Sequence, residues 1–192
     1  LLGMVALARD DLASARPLLA GAAASLPDDA AVQANWSLCL FRLDEADAAL
    51  AASDRALALA PNHADGHYNR GLVLLRQNRL GDAAQAFARA AELLPQHVGA
   101  WTRLGETRHA LGRYLEAEIA LRRALDLTPD DAALHAQLSG VFYDAGVFEA
   151  ALEHARRAVD LAPQVASGWA QLSAAQRRLG ELDASLSSID HA

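Results

Sequence analysis

Five of the six prolines, Pro27, Pro61, Pro95, Pro129 and Pro163, stand 34 residues apart. A proline lacks an amide donor and disfavours helical geometry in the residue before it, so it ends helices. A fixed proline period therefore fixes the length of a structural unit. With proline at position 32, the chain divides into full repeats 30–63, 64–97, 98–131 and 132–165, flanked by partial copies 1–29 and 166–192. Residues 1–192 thus read as a single array.

The same register aligns the apolar residues. Alanine recurs at position 20 (Ala49, Ala83, Ala117, Ala151) and at position 27 (Ala56, Ala90, Ala124, Ala158), where a missing side chain lets a neighbouring helix approach closely. Position 30 is leucine in every full repeat (Leu59, Leu93, Leu127, Leu161), and we expect these to anchor the second helix. Trp36/Leu40, Leu104, Leu138/Phe142 and Leu172 occupy positions 7 and 11, a helical stripe on the first half of each repeat. Between the stripes, Asp44, Asn78, Gly112, Gly146 and Gly180 fall at position 15. These residue types tolerate the left-handed conformation that closes a helix, so each repeat reads as helix, turn, helix. Pro17 falls outside the period and predicts a kink or a late start in its helix.

This pattern resembles the tetratricopeptide repeat (TPR), whose 34-residue signature pairs a Trp-like residue, Leu-Gly, Tyr, Ala, Phe, Ala and Pro. Repeat 98–131 carries it as Trp101, Leu104, Gly105, Tyr114, Ala117, Ala124 and Pro129, and repeat 64–97 adds Gly71, Ala83, Phe87, Ala90 and Pro95. Departures are Ser37, Ser139 and Ser173 in place of the position-8 glycine, and His67 and His135 in place of the Trp-like residue. The resemblance implies an all-α fold, an α-solenoid in which antiparallel helix pairs stack into a right-handed superhelix. One hairpin cannot bury its own apolar face, so neighbours must cover it.

Composition narrows the function. Alanine-rich and only 5% aromatic, the chain suits close helix packing rather than sheets. A net charge of −7 and no visible basic face argue against nucleic acid. Every basic side chain is arginine, and a lysine-free, alanine-rich chain is what a GC-rich bacterial genome produces. No apolar run approaches the ~18 residues a membrane-spanning helix needs, so no membrane insertion is expected. The first residues, LLGMVALARD, show no secretory pattern, which points to a cytoplasmic protein. The closing LDASLSSIDHA ends inside an amphipathic run, and we expect the natural chain to be longer.

In the TPR family the first helix of each repeat lines the concave groove, and there position 6 carries Asn35, Asn69, Arg103, Gln137 and Gln171. An amide offers both donor and acceptor, the complement of a peptide unit, so such a row can hold an extended backbone. The row resembles the asparagine ladder of O-linked N-acetylglucosamine transferases at Asn35 and Asn69, approximates it at Gln137 and Gln171, and departs from it at Arg103. Arg76, His109 and Tyr143, at positions 12 and 13, add aromatic and cationic anchors. The chaperone-tail branch of the family clamps a carboxylate with Lys and Asn at positions 5 and 9. Repeat 30–63 has Ala34 and Leu38 there, so no such clamp is expected.

Nothing in the sequence forms a catalytic constellation, and no cofactor or metal is expected. His63 and His67 flank Asp65 but straddle the inter-repeat turn, where helical spacing fails. His97 repeats His63 one period on, and His109, His135, His154 and His191 occupy unrelated positions. Asp28-Asp29 and Asp130-Asp131 precede helices and read as caps. Cys39 aligns with Val73 and Val141 and reads as an unreactive core residue. Arg89/Glu92, Arg123/Asp126 and Arg157/Asp160 read as exposed ion pairs on the convex side. The expectation is a scaffold that binds a peptide segment of a protein partner. The alternative is the substrate-recruiting part of a larger enzyme, since similar alanine- and arginine-rich arrays precede sulfotransferase or glycosyltransferase domains. A third reading is self-association through the uncapped ends.

Overall fold

The computed structural model describes residues 2–189. Among them are helices α1 (Leu2–Ala8), α2 (Leu12–Ser25), α3 (Ala30–Arg42), α4 (Ala46–Leu59), α5 (Ala64–Arg76), α6 (Leu80–Leu93), α7 (Val98–Ala110), α8 (Tyr114–Leu127), α9 (Ala132–Asp144), α10 (Phe148–Leu161), α11 (Ala166–Arg178) and α12 (Leu182–Ile189). No strand occurs among the described residues. The chain separates into two compact units, Leu1–Ala100 and Trp101–Ala192, with the division inside α7. In the first unit α3 pairs with α4 and α5 with α6, and α3 also packs on α5. In the second, α9 pairs with α10 and α11 with α12, and α9 packs on α11. These stacked pairs place the chain in the α-solenoid class.

Position 15 ends each first helix as its chemistry requires. Asp10, Asp44 and Asn78 take φ of 61°, 64° and 58°, and Gly112, Gly146 and Gly180 take 71°, 80° and 81°. The following amide then reaches back over the last turn: Glu45 N–H donates to the Leu40 carbonyl and Val147 N–H to the Phe142 carbonyl. That 6→1 bond satisfies a carbonyl the helix would otherwise leave open. Next helices start on residues one position before the repeat boundary. Asp29 and Asp131 each accept two amide bonds of the first turn, whereas His63 and His97 cap with Nδ1 on Gly66 N–H and Ala100 N–H, both at 3.1 Å. The recurrence of His63 and His97 is thus a capping device.

Position 4 carries a second device, which the sequence pattern alone did not reveal. His67 Nε2 lies 2.8 Å from the Pro61 carbonyl, Trp169 Nε1 donates to that of Pro163 at 2.8 Å, and Gln33 Nε2 donates to that of Pro27 at 3.3 Å. What this position needs is an N–H at the end of a planar group, and indole, imidazole and amide all supply one.

The core follows the alanine columns. Ala49, Ala56, Ala83, Ala90, Ala117, Ala124 and Ala151 have no exposed surface. Positions 8 and 24 are reciprocal in volume. Gly71 and Gly105 face Phe87 and Leu121, and a Cβ on either glycine would lie 2.6 Å or 2.5 Å from those side chains. Where position 24 shrinks to Ser53 or Ala155, position 8 becomes Ser37 or Ser139, whose hydroxyls donate to the carbonyls of Ala49 and Ala151 at 2.7 Å and 2.9 Å. The serines therefore complete the packing by another route.

Three expectations are corrected. α2 begins at Leu12 and runs through Pro17, so there is no late start; the ring falls in the second turn and removes one donor there. Leu59 is 38% exposed and anchors less than its counterparts. Arg157 pairs not with Asp160 but with Asp130 at 2.7 Å, as Arg55 pairs with Asp28 at 2.8 Å. These arginines tie the second helix to the loop before the same repeat. Arg89 does both, bonding Glu92 and the Asn62 side-chain oxygen. Cys39 is fully buried, and burial raises its thiol pKa, which keeps it unreactive. His191 lies outside the described residues.

His135 and His154 share one hydrogen bond, Nδ1 to Nδ1 at 3.0 Å. His135 Nε2 faces the Pro129 carbonyl, an acceptor, so that nitrogen carries the proton and His154 Nδ1–H donates. Burial first, then the neighbouring His135 and Arg122, lowers the His154 pKa against the opposing pull of Glu153 and Glu118. A histidine whose native pKa lies below its unfolded value favours the neutral folded form. Its contribution is full above about pH 6.5 and is lost as pH falls through that value toward the lowered native one. Urea midpoints should drop between about pH 8 and about pH 5.5, and His154→Phe should remove part of the drop. An unchanged pH profile in the variant would contradict this reading.

Candidate functional site

The expected groove residues meet different fates. In the first unit, Asn35 is half-buried, while Asn69 is 3% exposed and spends its Nδ2–H on the Ala34 carbonyl at 2.8 Å. Asn69 therefore joins α5 to α3 instead of presenting an amide to a ligand. Its short side chain reaches the neighbouring helix and no further. Arg76 is likewise engaged: its guanidinium bonds the Phe41 carbonyl (2.9 Å) and the Asp44 carboxylate (2.6 Å) and lies 4.0 Å from the centre of the Phe41 ring. Arg42 makes the same clasp one repeat earlier, to the Leu7 carbonyl and Asp10. Aspartate at position 15 thus does two jobs here, turning the chain and holding the next repeat's arginine.

The second unit assembles a site. Arg103 pairs with Glu106 at 2.8 Å, and Gln137 Nε2 donates to the other oxygen of Glu106 at 2.6 Å. Around this contact α7, α9 and α11 form a cleft of about 340 Å³, lined by Glu106, His109, Gln137, Gly140 and Gln171, with Leu121 at its base. His109 is fixed by its Nε2 against Asp144 at 2.7 Å and by an edge contact with Tyr114. Tyr143 is half-buried with its ring edge-on to Phe148, and it does not line the cleft. Of the expected residues, His109, Gln137 and Gln171 are brought together, with Arg103 joined to them through Glu106.

Glu106 and Gly140 are additional. Both stand at position 9, three residues beyond position 6 and so on the same helix face, which is the signal that could have found them. The cleft holds an unsatisfied acceptor. Gln137 Oε1 is buried and, among the described residues, has no hydrogen-bond donor. An orphaned acceptor of this kind carries an unrecovered desolvation cost. No cluster among the described residues has the ligands for a metal ion, and His63 and His67 are occupied in capping and in the Pro61 contact.

The profile of the family described as tetratricopeptide repeat matches residues 40–98 and 68–132. Residues 40–132 thus carry tetratricopeptide repeats, and the chain shares the fold of proteins built from them. No curated protein matches it in sequence. Its repeats resemble solved structures at low identity. PilF of Pseudomonas aeruginosa aligns with a TM-score of 0.83 at 20% identity, over 97% of this chain and 85% of that one. YrrB, described as a TPR protein with an unusual peptide-binding site, aligns at 0.80 and 21%, over 90% and 89% of the two chains. A MamA fragment of Desulfovibrio magneticus RS-1 aligns at 0.78 and 21%, over 84% and 91%. At such identities the likeness is one of fold. Among the described residues, no TPR helix is long and apolar enough to cross a membrane.

Proposed function

We propose that this chain is a protein-interaction scaffold whose first helices bind an extended peptide segment of a partner, with the cleft over α7, α9 and α11 as the principal contact. The observation that carries this reading is the juxtaposition of Gln137 and Gln171 across a cleft with an apolar base and an unsatisfied buried acceptor. A peptide brings both N–H donors and carbonyl acceptors, which suit an amide-lined cleft. YrrB, a similar fold, is described as having a peptide-binding site, which supports the same class of ligand. In the first unit, Asn35 is the position-6 residue left to contribute, since Asn69 and Arg76 are engaged within the fold.

The reading is tested on an array of random peptides. Binders of the intact chain should weaken by about thirtyfold with Gln137→Ala plus Gln171→Ala, since each lost hydrogen bond is worth about 1 kcal/mol. Binders indifferent to both substitutions would place the contact elsewhere and sink the assignment.

A further inference from the structure

We propose that the Gln137 cleft is a subsite for one cationic side chain, lysine or arginine, of the bound segment; this rests on the peptide-binding reading above. The orientation of the Gln137 amide is the first ground. Its Nε2 faces a carboxylate oxygen of Glu106 at 2.6 Å, and exchanging the two amide atoms would set oxygen against oxygen. Oε1 is thereby turned away from Glu106 and left buried without a donor, so a group that parts the cleft wall enough to reach it gains by donating to it.

The second ground is charge. Glu106 lines the cleft and Asp144 holds the His109 ring at its side, two carboxylates against the guanidinium of Arg103. Arg103 holds the outer oxygen of Glu106 in a pair whose side chains are 45% and 30% exposed, and such pairs are worth little and exchange readily. An anionic side chain would meet Glu106. An apolar one would leave Oε1 unsatisfied. A primary amide would satisfy Oε1 while turning its own oxygen toward a carboxylate. An ammonium or guanidinium has donors only, so it suits Oε1 and meets Glu106, whose oxygens already hold Arg103 and Gln137 Nε2, with opposite charge.

The third ground is space. Position 9 holds Leu38, Leu72, Glu106 and Ala174 in other repeats, but glycine at 140. A Cβ on Gly140 would lie 3.6 Å from Gln171 Nε2 and 3.7 Å from His109 Cε1, in ordinary contact with both. The missing side chain is what keeps the cleft open, and about 340 Å³ accommodates one long side chain.

The test uses the isotopically labelled full chain and four probes at millimolar concentration: the N-acetyl, N-methylamide derivatives of arginine, lysine, norleucine and glutamate. Arginine and lysine derivatives should shift the Gln137 side-chain amide and the Gly140 backbone amide saturably, and the other two should not. Gly140→Leu, which installs the residue that position 9 carries at Leu38 and Leu72, should abolish the response, with unchanged thermal melting as the folding control. Equal responses to norleucine or glutamate, responses that survive Gly140→Leu, or no response to any probe would overturn the subsite. On the peptide array, binders sensitive to Gln171→Ala but without preference for basic residues would refute the subsite and leave the peptide-binding reading standing. Binders insensitive to both glutamine substitutions would refute the two together.

Discussion

Replacing Gly71 by serine is expected to destabilise the chain by about 1–3 kcal/mol, and replacing Phe87 by alanine by about 3–5 kcal/mol, yet the double variant should cost clearly less than their sum. The reason lies in the reciprocal volumes of positions 8 and 24. Any Cβ on Gly71 lies 2.6 Å from the Phe87 ring, which is fully buried and cannot swing out. Removing the ring leaves a cavity. With both changes, the new serine faces a small residue, as Ser139 faces Ala155, and its hydroxyl can donate to the Ala83 carbonyl as Ser139 does to that of Ala151. A coupling of about 1 kcal/mol or more in a double-mutant cycle by urea unfolding is the expected outcome. Strict additivity would show that the two positions do not pack as one unit.

Asn69→Asp should be the most damaging change of a single atom type at position 6. The side chain is 3% exposed and faces the Ala34 carbonyl, so an ionised carboxylate there would be buried against an oxygen. The expected loss at neutral pH is about 3 kcal/mol. Burial raises the native pKa of the introduced acid above its unfolded value of about 3.9. The deficit is therefore small below that value, where the protonated acid can donate to Ala34, and grows as pH rises through the raised native pKa. A side chain that served only to contact a ligand would change binding and leave stability alone. Thermal melts of Asn69→Asp at acid and neutral pH separate these roles, and a stability equal to that of the parent at both would contradict the structural one.

Much of this architecture is legible in the sequence because a repeat supplies its own controls. The proline period, the alanine columns and the position-15 turn residues each recur often enough to be read without coordinates, and Asp44 to Gly180 adopt the left-handed turn they imply. Interactions between repeats are less legible. The sequence places Arg157 three residues from Asp160, and only the fold brings Asp130 closer. The same limit affects position 6. Asn69 and Gln137 occupy one register position, but one methylene decides whether the amide ends on a helix carbonyl or on Glu106. Register identifies which face a residue occupies, whereas side-chain length and the partner at position 9 decide whether it is free to bind.

The most direct measurement is chemical-shift mapping of the full chain with the tightest peptide from the array. The account predicts perturbed signals from Ala133, Ala136 and Gly140 on α9 and from Gln171 on α11, with Leu115 and Ile119 of α8, which are 71% and 52% exposed, unaffected. Perturbations confined to Leu115 and Ile119 would put the partner on the second helices and contradict it.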